Sequence, residues 1–157
     1  MIAENIRRLD DCKVELDNIR MWINSNPLHS NVRYLVSYAV VKASGTIEIV
    51  LKSMVYDYLA EGAKVPTQAY LTKMIVDSSC NPNTGNISKM LEQIDVAKKT
   101  SFENSIKGST QKGDLNSLVN LRNDIAHGRV ISVTIGTVIK YFESGRSILE
   151  KLEQILL

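Results

Sequence analysis

Residues 31–60 read NVRYLVSYAVVKASGTIEIVLKSMVYDYLA. Ser30 or Asn31 is placed to cap a helix here. Gly62, in Glu61-Gly62-Ala63-Lys64, is placed to end it in the left-handed conformation. A helix of that length is about 45 Å long at ~1.5 Å per residue. Its centre, Leu35 to Leu51, is apolar on more than one side and carries small residues at Ala39, Ala43, Ser44 and Gly45. The β-branched Val40, Val41, Ile47, Ile49 and Val50 would suit a strand locally, but the length and the charged flanks decide for helix. A helix apolar over most of its surface has to be surrounded, so this one is expected to be the central post of a bundle.

The flanking sequence supplies the partners. Upstream, the spacing predicts a helix from about Ile2 to Ile23. Its inward stripe is Ile6, Leu9, Val14, Leu16, Ile19 and Ile23, with Arg7, Arg8, Asp10, Asp11 and Lys13 facing water. Pro27 stops it. Downstream, Pro66 suits the first turn of a third helix running to about Asp77. Residues 78–86 are dense in turn formers and read as a loop. A fourth helix is expected from Ile87 to about Ile106, followed by a polar loop through Gly108 and Gly113. Asp114 is the expected N-cap of a fifth, which buries Leu115, Leu118, Leu121 and Ile125 and ends at Gly128. After a short connector over 129–133, a last helix runs from about Ile135 to Leu156. The fold class is therefore all-α: one domain over residues 1–157, an antiparallel bundle of five to six helices with a long central second helix.

Composition narrows the functions. A chain of 157 residues, 44% hydrophobic and 23% charged, is an ordinary globular domain. With 19 Lys+Arg against 17 Asp+Glu, the net charge of +2 is too small for bulk attraction to nucleic acid, so contact with phosphate needs a local patch. Cys12 and Cys80 are far apart and match no metal spacing. No phosphate-binding loop, paired catalytic carboxylates or zinc ligand set appears, which disfavours ATP hydrolysis, glycosidase chemistry and zinc catalysis, and no cofactor or metal is expected. The N-terminus lacks the pattern of a signal peptide. The sequence is read as containing no run of about 18 apolar residues, so a cytoplasmic protein without a membrane partner is expected.

One segment concentrates polar chemistry at a helix end: Leu118-Val119-Asn120-Leu121-Arg122-Asn123-Asp124-Ile125-Ala126-His127-Gly128-Arg129. Asn123 and His127, four residues apart, share a face. Arg122 flanks them, and Arg129 adds a second cation just past the turn. An imidazole titrates near neutral pH and can move a proton to or from a ribose 2′-hydroxyl or a leaving oxygen. A guanidinium holds a phosphate by two hydrogen bonds and stabilises growing charge. The negative end of a helix favours the protonated imidazole, which suits a general acid. A plainer reading stands beside this one: Gly128 makes a left-handed turn, His127 answers the helix dipole, and Asn123 covers a neighbouring loop.

Leu121-Arg122-Asn123-Asp124-Ile125-Ala126-His127-Gly128 resembles the signature of the HEPN superfamily (higher eukaryotes and prokaryotes nucleotide-binding domains). That signature is an Arg followed by a polar residue and, a few positions on, a His, late in a helical bundle. The RiboL-PSP type is the most similar, and the long second helix with Gly45-Thr46-Ile47-Glu48 also resembles that group. The resemblance implies a homodimer in which two motif helices meet over one cleft, and a metal-independent endoribonuclease of toxin–antitoxin or phage-defence type. Arg122 and His127 would then be catalytic and Asn123 supporting, RNA would be the substrate, and any antitoxin would be a separate protein. It also admits an inactive helical dimer that serves as a protein-interaction or nucleotide- or RNA-binding module.

Other residues have weaker claims. Glu48 sits in an apolar stretch, where an acid needs a partner; it could orient Arg122 or His127, or pair with a lysine. His29 reads as a solvent-facing turn residue. Lys98, Lys99, Lys107 and Lys112 form either a solvated face or a fringe for substrate. Tyr34, Tyr38, Tyr56 and Tyr58 fit core or interface packing better than base stacking.

Overall fold

A computed structural model describes all 157 residues. The chain folds into seven α-helices and no strand: α1 (Ala3–Ser25), α2 (Val32–Ala60), α3 (Val65–Leu71), α4 (Thr84–Ile94), α5 (Val96–Ile106), α6 (Thr110–Ala126) and α7 (Ile135–Leu156). As the sequence implies, α2 is the post, and α1, α6 and α7 pack around it. Twelve of its residues are buried, among them Ala39, Val40, Ala43, Ile47, Val50 and Leu51. On α7, Gly145 permits the close approach: a Cβ there would lie 3.0 Å from Ile47 Cδ1 and 3.3 Å from Leu115 Cδ1. Interiors already packed to crystal-like density have no room for that atom.

The count exceeds the expected five to six because the single helix expected over 87–106 is two. Asp95 breaks it, with φ −162° and ψ 119°. Its backbone N–H closes α4 on Leu91, and its carboxylate caps α5 by accepting from Ala97 N–H at 2.7 Å. A short acidic side chain competing for backbone donors has won over helix continuation. α4 also starts earlier than expected, at Thr84, because Asn83 Oδ1 accepts from Asn86 N–H at 2.8 Å.

Three further details depart from the sequence reading. The expected third helix is α-helical only to Leu71, then widens into a π-turn over Thr72–Val76. α6 begins at Thr110, so Gly113 lies within the helix and Asp114 is not its N-cap. Instead the Asp114 carboxylate accepts from Ser144 Oγ at 2.8 Å and pairs with Lys140 at 3.3 Å, tying α6 to α7. On α1, the buried stripe is Asn5, Leu9, Cys12, Leu16 and Ile19, while Ile6 and Val14 are 42% and 59% exposed. Asn5 holds the inward position because its amide donates to Ser53 Oγ at 3.1 Å.

α2 also corrects the expectation that no stretch could span a bilayer: its length and composition are sufficient for one. Half of its most apolar window is buried inside the bundle, so that apolarity is used in packing. Neither Ser30 nor Asn31 makes a capping hydrogen bond, but Gly62 adopts the expected left-handed turn, with φ 67°.

Candidate functional site

The polar segment forms the last two turns of α6 and the turn that follows. Leu115 and Leu118 are fully buried beneath it and Val119 nearly so. Past Ala126 the backbone closes a Schellman turn. Gly128 N–H donates to Ile125 O at 3.0 Å, and Arg129 N–H donates to Asp124 O at 2.8 Å. Gly128 takes φ 71°, a conformation open to glycine at little cost. His127 is the C-cap residue with φ −92° and ψ 12°; its side chain is exposed and has no protein partner.

Arg122 has a different setting. It is half-buried where the end of α6 meets the loop before α4. Its Nη1 donates to Asn81 Oδ1 and to Asn123 Oδ1, each at 3.4 Å, so both acceptors are neutral amides. The loop carrying Asn81 is itself braced. Asn86 Nδ2 donates to Asn81 O at 2.9 Å. Cys80 N–H donates to Glu48 Oε1 at 3.1 Å, and Lys52 Nζ donates to Ser78 O. Glu48 and Lys52 are themselves an i,i+4 pair at 2.7 Å, with side chains 15% and 11% exposed. A turn of α2 therefore fixes residues 78–80, and Asn81 next to them faces the guanidinium. Burial and the nearby Glu48 carboxylate push the Cys80 thiol above its ordinary range, and burial does the same for Cys12.

The structure thus brings Arg122 and Asn123 together and leaves His127 and Glu48 apart from them. At ~100° per residue, positions 122 and 127 leave the helix about 140° apart, and no hydrogen bond joins their side chains. Glu48 takes the lysine-pairing alternative and touches neither Arg122 nor His127. Arg129 is paired with Asp124 at 2.8 Å, so its charge is answered at the surface. His29 accepts from Asn31 N–H at 3.1 Å, lies edge-on to Trp22, and lines a hollow with Ile131 and Val133 of the connector after α6. Asn81, Lys52 and Asn86 were not singled out by sequence; Asn81 is 41 residues from Arg122, and nothing in its local turn-forming run marks the contact.

A wide polar groove of about 970 Å³ opens beside α6, between its N-terminal half and the α4–α5 pair. Lys99, Lys107 and Lys112 line it, whereas Lys98 turns away, donating to Ile155 O at 2.6 Å and lying 4.9 Å from the Tyr58 ring centroid.

An all-helical bundle with an Arg-x4-His segment closing its penultimate helix has the architecture and signature of a HEPN domain. The chain matches the RiboL-PSP-HEPN family model over residues 5–157, and it belongs to that family. No curated protein and no solved structure matches it.

Proposed function

We propose that the chain is a metal-independent endoribonuclease of toxin–antitoxin or phage-defence type, acting in the cytoplasm as a homodimer. The observation that carries this reading is the pairing, at one helix end, of a guanidinium with no carboxylate partner and an imidazole with no protein partner. Arg122 and His127 leave α6 about 140° apart, a divergence that favours a site shared between two chains. Two copies meeting along their α6 ends would supply Arg122 from one side and His127 from the other.

In that cleft a ribose 2′-oxygen attacks the adjacent phosphorus and gives its proton to one imidazole. The bond from phosphorus to the 5′-oxygen breaks, and the departing oxygen takes a proton from the other imidazole, in its protonated form. Arg122 neutralises the charge that builds on the phosphoryl oxygens. The products are a 2′,3′-cyclic phosphate and a 5′-hydroxyl. Asn123, whose amide oxygen accepts from Arg122 Nη1, supports the guanidinium. Any antitoxin is a separate chain.

The test is RNA cleavage in the presence of EDTA. Wild type is expected to cut, whereas Arg122→Ala and His127→Ala are each expected to lose cutting while keeping fold and dimer. Undiminished cutting by His127→Ala overturns the reading.

The alternative is a catalytically inactive helical dimer that binds a protein. It is favoured by one observation, the apolar stripe Tyr34, Tyr38, Val41 and Ile49 on α2, 45–60% exposed. It expects no cleavage and no growth defect on expression.

A further inference from the structure

α6 carries a polar stripe that extends well beyond the helix end. Lys112, Asn116, Asn120, Asn123 and His127 follow one another at spacings of four, four, three and four residues. At ~100° per residue they fall within about 80° of arc and run roughly 22 Å along the helix. The first three line the groove beside α6. Opposite them, Lys107 approaches from the end of α5, and Lys89 stands on the ridge of α4 that also borders the cavity around Arg122. Lys89, Lys107 and Lys112 are exposed and make no ion pair, in contrast to Lys99, which is held by Glu92 at 2.7 Å. Glu103 is the other acid in the lining. The groove floor is amide rather than apolar: Asn116 uses its oxygen on Thr84 N–H at 2.9 Å, which leaves its NH₂ group without a protein partner, and Asn120 is exposed.

Unpaired lysines spaced along a trough, with amide donors between them and no aromatic residue in the lining, suit a chain of phosphates better than a single anion or a stacked base. Resting on the nuclease reading above, we infer that this groove is an extended subsite for the backbone of single-stranded RNA flanking the cleaved phosphate. Lys107 and Lys112 would contact phosphates on the side away from His127. From Lys112 to Arg122 the distance along the helix is about 15 Å, room for more than one phosphate of a single strand. The weak net charge of the chain is thereby concentrated along one track.

The test uses the full chain and two substrates. One is a single-stranded RNA oligonucleotide long enough to fill the groove, and the other is a dinucleotide that cannot reach the distal lysines. The Lys107→Gln/Lys112→Gln protein is expected to cut the dinucleotide as wild type does and the oligonucleotide at least several-fold less efficiently. Its binding to a 2′-O-methylated, uncuttable copy of the oligonucleotide should lose about 1.4 from the log–log salt slope, ~0.7 for each single-strand phosphate released. Unchanged binding and unchanged cutting of the oligonucleotide overturn the subsite and leave the nuclease reading standing. Lysine-dependent binding of the methylated RNA without cleavage of either substrate does the reverse. Displacement of that RNA by polyglutamate as effectively as by RNA, independent of length, overturns the subsite in favour of an acidic protein partner.

Discussion

The two ends of the Arg122–His127 segment are built in opposite ways. His127 is set by its immediate neighbours: the helix that precedes it, the left-handed Gly128, and two backbone hydrogen bonds over the six residues Asp124 to Arg129. Arg122 is set from a distance, by Asn81 on a loop that α2 holds through Glu48 and Lys52. On the proposed reading His127 is a proton carrier, and a stiff, exposed stub lets it serve a partner surface that arrives from outside. A phosphate-binding cation gains from being aimed beforehand, because orientation fixed in the fold need not be achieved during the reaction.

The largest effects should come from removing either end. His127→Ala is expected to lower RNA cleavage by about 10²–10⁴-fold, the ordinary worth of a general acid or base. Melting should shift little, since exposed side chains without partners contribute within about 0.5 kcal/mol. Arg122→Ala should cost a similar order in rate while also loosening residues 78–83. Second is Lys52→Met, which leaves Glu48 facing the interior without its cation. Breaking a buried pair costs ~3–5 kcal/mol; with both side chains slightly exposed, about 2–3 kcal/mol is expected, read as a lowered urea midpoint. If stability holds but cleavage falls, the brace serves orientation alone.

Third, Gly128→Ala forces a Cβ into φ 71° and should cost about 1–2 kcal/mol, measured by thermal melting, with the damage confined to the His127 end. The smallest is Asn81→Ala. It removes one long, neutral acceptor and should cost about 0.5–1.5 kcal/mol of orientation. That appears as a roughly two- to ten-fold loss in kcat/KM, with the melting temperature nearly unchanged. A larger loss from Asn81→Ala than from Arg122→Ala would reverse the hierarchy drawn here.

The same contrast explains what the sequence could and could not reveal. Periodicity in α2 and in Leu115 and Leu118 reports burial directly, while Leu121 and Ile125, expected to be buried, are only partly so; the bundle and the motif helix are legible all the same. Gly62 and Gly128 are legible because a left-handed turn has few tenants. The break at Asp95 was missed because a helix stop made by one carboxylate lies inside an otherwise helical pattern. Ile6 and Val14 were misassigned because a mixed stripe does not say which side faces α2, and the inward amide of Asn5 is explained only by Ser53. The brace behind Arg122 depends on pairs separated by 26 to 41 residues, and spacing carries no information about those. Only Glu48 gave a sign of it, as an acid in an apolar run that had to find a partner.

The chain's two thiols provide clocks for these motions. Cys12 is packed in the core and Cys80 is half-buried in the braced loop, and burial keeps both protonated and slow to alkylate. Cys80 becomes reactive whenever the loop releases α2, whereas Cys12 waits for α1 to leave the bundle. The ratio of their labelling rates in native buffer therefore reads the free energy of local opening against that of global unfolding. An RNA analogue seated against Arg122 should slow the first clock and, at subsaturating concentration, leave the second almost where it was.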